Sequence, residues 1–216
     1  MIDSAVRDNA AWCDLVCRSH GQPGSVDADA WSVPRRSPPW YPDAVTLRPG
    51  VGAELLGRID AGPGASVKDS YADLDLAEDG FRVLFDAEWI HRPPGGADTG
   101  PGLVAITTAE ELTAWAEAHG GGPVFRPALL AEPRVRILGL PDGNGWWVGG
   151  AVLHDGGEVV GVSNVFARGG SPERVWAGVC AAGAGRHLVG YEQGTDLTIA
   201  RRCGFRAVGP LRVWGR

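Results

Sequence analysis

No apolar run in this chain approaches the ~18 residues that a membrane-spanning helix needs, and its first residues lack the basic-then-apolar order of a secretory leader. Basic runs are missing too. Lysine and arginine number 20 against 26 acidic residues, a net charge of −6, so nucleic acid and anionic membranes are poor partners. A cytoplasmic location is expected. Cysteine is scarce: Cys13, Cys17, Cys180 and Cys203 show no CxxC or Cys/His ligand spacing, which points to buried structural thiols and no metal. No GxGxxG turn joins a strand to a helix, which argues against a Rossmann-type nucleotide domain. No internal repeat stands out.

What is present is a chain able to fold. Of 216 residues 44% are hydrophobic and nine are tryptophan, enough apolar surface for a real core. The 33 glycines and 16 prolines punctuate patterned segments. Asp8 to His20 reads as a helix capped by Asp8 or Asn9, with Trp12, Leu15 and Val16 on its apolar stripe. Ser25 to Pro42 has no period and four prolines, the pattern of a long ordered loop. Its Trp40 and Tyr41 could line a substrate pocket or pack beneath the loop. Ala44 to Leu47 is a strand and Glu54 to Ile59 a short helix. Lys68 and Asp69 lie in a polar stretch read as a site, a solvated turn or a local ion pair. Phe81 to Ile90 is a strand, Pro93 to Pro101 an exposed, mobile loop, and Leu103 to Ile106 a further strand. Thr108 with Glu111 forms a capping box for a helix that stops at Gly120. Gly120 to Pro123 is the best boundary. It separates an αβ half, 1–122, from a second half, 123–216; the alternative is one continuous domain.

The last quarter is the most legible. Glu158 to Phe166 is a β-branched run suited to a strand covered on both faces. Ala167 to Gly170 break it, and Ser171-Pro172 start a helix. Leu188 to Tyr191 is the next strand, so the connection makes a parallel βαβ unit. Thr195 or Asp196 caps another helix that ends at Gly204. Phe205 to Val208 and Leu211 to Trp214, parted by Gly209-Pro210, read as two closing strands, the last a sheet edge that could pair with a second copy in a homodimer. The fold class is α/β (α+β), a mixed sheet with helices on both faces. Trp146 to Leu153 adds a hairpin before Glu158 to Phe166.

This order of hairpin, strand, helix, strand, helix and strands, with the Gly204-Phe205 step, resembles the C-terminal half of the GNAT superfamily of N-acetyltransferases. The resemblance spans 124–214. It implies an acetyl-CoA-dependent N-acetyltransferase acting on an amine, or a GNAT-like binding or regulatory module without catalysis. By that resemblance the cofactor would lie along Val165, Phe166, Ala167, Arg168, Gly169, Gly170 and Ser171, with the pyrophosphate at the helix N-terminus and the pantetheine arm on the strand carrying Ser163 and Asn164. Pro172 removes one donor and Glu173 adds a carboxylate there, so the loop is degenerate. The family's usual tyrosine acid falls near Ala200 and is missing. Tyr191 is its nearest replacement, Glu192 the first candidate base and His154 the second; Tyr191 and Glu192 could equally be rim packing. His20, His91, His119 and His187 read as capping or solvated.

Overall fold

The computed structural model of the chain describes residues 1–95 and 100–216. Residues 96–99, part of the loop expected to be mobile, lie outside the described residues.

In chain order the elements are α1 (Ile2–Ser19), β1 (Ser25–Val26), β2 (Ala30–Ser32), β3 (Ala44–Thr46), a short 3-10 helix (Ala53–Arg58), β4 (Ser66–Asp69), β5 (Arg82–Arg92), β6 (Val104–Ala105), α2 (Ala109–His119), two further 3-10 turns, β7 (Val135–Pro141), β8 (Trp147–Asp155), β9 (Val159–Ala167), α3 (Pro172–Ala182), β10 (His187–Glu192), α4 (Gly194–Arg202) and β11 (Arg206–Gly215). The strands form one sheet in the order β1-β2-β3-β4-β11-β5-β10-β9-β8-β7-β6.

Several expectations are revised. α1 begins at Ile2, so Asp8 and Asn9 do not cap it; both are buried in its middle. The segment 25–42 contains β1 and β2. α4 is capped at Gln193, with Thr195 and Asp196 already in its first turn. The two closing strands are one. β11 runs through Gly209-Pro210, where the register against β5 shifts between Ala207 and Gly209, a bulge that lets proline sit inside a ladder. β11 also lies mid-sheet between β4 and β5, so it is no edge for pairing a second copy.

The sheet repeats itself about its centre. β10 is parallel to β9 and antiparallel to β5; β4 is parallel to β3 and antiparallel to β11. Further out, β8–β9 and β2–β3 are both antiparallel. Each parallel pair is joined by a crossover with a helix inside it, α3 on one side and the 3-10 helix on the other. β5, from before Gly120, therefore completes the strands that follow Gly120, while β11 does the reverse.

Alternating residues send the sheet's two faces into different cores, as strand geometry requires. Val152, Trp89 and Val189 meet α1 and α2, whereas Leu153, Ile90 and Leu188 meet α3 and α4. Trp115 of α2 anchors the first core. It is fully buried, donates from Nε1 to the Leu138 carbonyl at 2.9 Å, and meets Phe125 and Phe166 edge-on. Trp115→Ala should cost about 3–5 kcal/mol, read as a lower urea midpoint with an unchanged slope.

Candidate functional site

The two parallel strands in the C-terminal part separate along their length. β10 pairs with β9 only from His187 to Val189, opposite Val159 to Gly161. Beyond that point β10 follows β5 as far as Glu192, and β9 follows β8 as far as Ala167. The divergence is built into β9. Its register against β8 shifts between Gly150 and Val152, and Asn164 adopts φ 53°, a left-handed conformation that asparagine tolerates better than most residues.

A cavity of about 230 Å³ occupies this fork. β9 lines it with Val162 to Val165, β10 with Tyr191 and Glu192, α1 with Asn9, Trp12 and Cys13, β4 with Lys68, and the 40–42 loop with Trp40 and Tyr41. Four of the candidate site residues, Trp40, Tyr41, Tyr191 and Glu192, are thus brought together with Val165. Glu192 is half-buried, and burial, with the negative charge of Asp196 a lesser cause, pushes its carboxyl up to about 8. A carboxyl tuned that way is suited to holding and releasing a proton near neutral pH.

Tyr191 packs edge-on against Trp89 with ring centroids 5.6 Å apart. Tyr41 is buried; its hydroxyl accepts from Asn164 Nδ2 at 3.3 Å and its ring meets Trp12 edge-on. Burial pushes its phenol well above the usual range. Trp40 stands 67% exposed at the mouth with φ 71°. Within the loop Tyr41 packs inward, and Trp40 rims the opening of the cavity.

His154 is placed elsewhere. It is buried, with Nδ1 2.8 Å from Asp8 Oδ1, and borders a void of about 10 Å³ that shares Asn9, Trp12, Val162 and Ser163 with the fork. It lies behind the cleft wall and does not line the cavity. Burial raises the Asp8 carboxyl against the lowering effect of His154.

At the far end of β9 the loop 168–171 leads into α3. Arg168 is exposed and its backbone N–H donates to the Val148 carbonyl. Among the described residues no ion pair or hydrogen bond engages its guanidinium. Gly169 takes φ 63°, which glycine adopts without cost. Ser171 holds the N-cap position, yet it caps no backbone N–H; its hydroxyl donates to Glu173 Oε2 at 2.7 Å. That bond and the residue's own backbone N–H hold the Glu173 carboxyl below its ordinary value. A carboxylate of the chain thus sits at the positive end of α3, where an anionic ligand would gain most.

Two cleft residues escaped the sequence reading in the role they take. Lys68 is in neither a solvated turn nor an ion pair with Asp69: β4 buries both. Lys68 Nζ donates to Asn9 Oδ1 at 2.7 Å and lies 4.3 Å from the centroid of the Tyr191 ring, while Asp69 accepts from the backbone N–H groups of Tyr71 and Leu74. Asn9 looked like a cap because the helix start was placed too late. The remaining histidines are not simply solvated either. His119 stacks on Trp115, and burial drops it to about 4; His91 and His187 face each other at 2.9 Å across β5 and β10.

Among the described residues no group of acidic, cysteine and histidine side chains is arranged to hold a metal, and no helix is long and apolar enough to cross a membrane.

No protein-family model matches the chain, and no curated protein matches it in sequence. Solved structures do match over its full length. A GCN5-related N-acetyltransferase-like protein from Streptococcus suis superposes with a TM-score of 0.59 at 14% identity, covering 100% of this chain and 99% of its own. A GNAT-family acetyltransferase candidate from Novosphingobium aromaticivorans gives 0.57 at 17% identity and 98% coverage of both chains. A conserved protein of unknown function from Staphylococcus epidermidis gives 0.59 at 9% identity, covering 88% and 92%. The fold is GNAT-like, and the likeness includes the N-terminal strands. At these identities it defines the fold and leaves the chemistry to be argued from the site.

Proposed function

We propose that the chain is an acetyl-CoA-dependent N-acetyltransferase whose cofactor enters the fork between β9 and β10 and whose acceptor amine occupies the cavity under Trp40. The observation that carries this reading is Glu192, a carboxyl held near 8 at the fork of a GNAT-like sheet. Acetyl transfer needs an acceptor amine without its extra proton, then a proton returned to the departing thiolate. In this reading Glu192 takes the amine proton, and the Tyr191 hydroxyl, next along β10, supplies the proton to sulfur. The unpaired edges of β9 and β10 offer backbone partners to the pantetheine amides, and Arg168 offers charge to the diphosphate.

The Glu173 carboxylate at the start of α3 favours a second reading, a GNAT-like binding module that no longer takes the coenzyme. Calorimetric titration with acetyl-CoA and CoA separates the two. The enzyme reading expects micromolar binding, about −8 kcal/mol, at least tenfold weaker in Arg168→Glu and tighter in Glu173→Gln. Absence of heat and of thermal shift at millimolar coenzyme would sink it.

A further inference from the structure

The cavity holds a lysine without a counter-charge. Lys68 is 4% exposed, and among the described residues no carboxylate lies within ion-pair distance of its Nζ. The neighbouring buried acids are committed elsewhere: Asp8 to His154, Asp43 to Arg36 and the Ser37 amide, Asp69 to the turn that follows it. Glu192 lines the same cavity, but the charge that acts on it is that of Asp196. One Nζ proton goes to Asn9 Oδ1 and the ammonium rests against the Tyr191 ring face, so donor capacity remains for the space between them. Burying an ammonium on these terms is expensive, and a lysine kept for packing alone would be replaced by leucine or methionine at no loss.

A second donor faces the same shortage. Trp12 is 2% exposed and lines the cavity, and its indole N–H has only a poorly directed contact with the Tyr41 oxygen for an acceptor. That oxygen already accepts from Asn164. A buried donor so poorly partnered is costly until a free acceptor arrives.

We infer that Lys68, with Asn9 and Trp12, forms a carboxylate subsite, so that the acceptor is a small amine carrying a carboxylate, its acid group on Lys68 and its amino group toward Glu192. This rests on the acetyltransferase reading for the role of the amine, and on the cavity alone for the anion site. The size agrees: about 230 Å³ lies just below the ~300–1,000 Å³ usual for ligand pockets, which suits an amino acid, and an adjoining space of about 620 Å³ that shares Trp40, Pro42, Lys68 and Tyr191 leaves room for its side chain. The subsite draws on both parts of the chain, since Lys68 comes from β4 and reaches a cleft made by β9 and β10.

The test is binding, measured by calorimetry on the intact protein with and without saturating CoA. The probes are the twenty common L-amino acids and the ω-amino acids from glycine to 6-aminohexanoate, each paired with its amide or decarboxylated amine. At least one carboxylate-bearing probe should bind below millimolar, its uncharged twin at least tenfold more weakly. Lys68→Met should lower that affinity at least tenfold and Lys68→Arg should retain part of it, with unfolding midpoints confirming that both variants are folded; should Lys68→Met fail to fold, Lys68→Gln takes its place. Equal binding of the twins, unchanged affinity in Lys68→Met, or no binding by any carboxylate-bearing probe overturns the inference. Coenzyme titration of the same samples tells the two failures apart. Coenzyme binding without probe discrimination removes the subsite alone, whereas probe discrimination without coenzyme binding removes the acetyltransferase and leaves an anion-binding cavity.

Discussion

Glu192→Gln is expected to lower kcat/KM for acetyl transfer by about 10²–10⁴-fold, the usual contribution of a positioned general base, while leaving coenzyme binding unchanged. Glutamine preserves the shape and the half-burial of the side chain and removes only its ability to take a proton. The pH dependence makes the assignment sharper. With its carboxyl pushed up to about 8, Glu192 is mostly protonated at pH 7 and ionises as the pH passes through 8. The wild-type rate should therefore climb through that window, and this limb should vanish in the glutamine variant. A rate loss that kept the same limb would move the base elsewhere, and a variant as fast as wild type would remove Glu192 from the chemistry.

The same ionisation works against folding. The folded-state value lies above the ordinary 4.5, so the folded protein binds the proton more tightly than the unfolded chain. Glu192's contribution is fully present below about pH 4.5 and is lost as pH rises through about 8. The wild type should lose stability relative to Glu192→Gln over that range, the thermal midpoints diverging most above pH 8. Opposite signs, a gain in stability with a loss of rate, are the mark of a group kept for function.

The sequence made the C-terminal part readable because its period changes cleanly. A β-branched run, a glycine-bearing break, a helix start and a short apolar strand each carry a local signal, and all four were found within a few residues. Arg168, Gly169 and Gly170 lie in the loop expected of them. The N-terminal part resisted for physical reasons. β1 to β4 have two to four residues each, too few for alternation to show. Asp8, Asn9, Lys68 and Asp69 are polar residues inside the core, and a pattern method that equates polarity with exposure must misplace them. Asp8 and Asn9 draw the start of α1 six residues late, and for Lys68 a polar stretch leaves a site, a solvated turn and a local ion pair all open to pattern. The exchange of β5 and β11 is a long-range pairing, and no local signal could announce it. What linked Lys68 to Glu192 was the sheet order.

The second large effect concerns the wall behind the cleft. Gly161 of β9 lies against Asp8 of α1 so closely that a Cβ there would stand 1.7 Å from Asp8 Oδ2, and the three nearest atoms all belong to Asp8. Gly161→Ala must push helix and strand apart or break the Asp8–His154 contact, and it should cost about 2–3 kcal/mol, the upper part of the usual overpacking penalty. Asp8→Ala alone should also destabilise, by about 3–5 kcal/mol if the pair is charged and about 1–3 kcal/mol if only a hydrogen bond is lost, since it strands the buried imidazole of His154. The combination behaves differently. Removing the Asp8 carboxylate opens the space that the new methyl needs, so Asp8→Ala with Gly161→Ala should be more stable than the sum of the single costs by well over 1 kcal/mol. Urea unfolding of the four proteins measures the coupling. Additive costs would mean that Gly161 is held small by something other than Asp8, and the fit of α1 against β9, which sets the floor of the cleft, would need another cause.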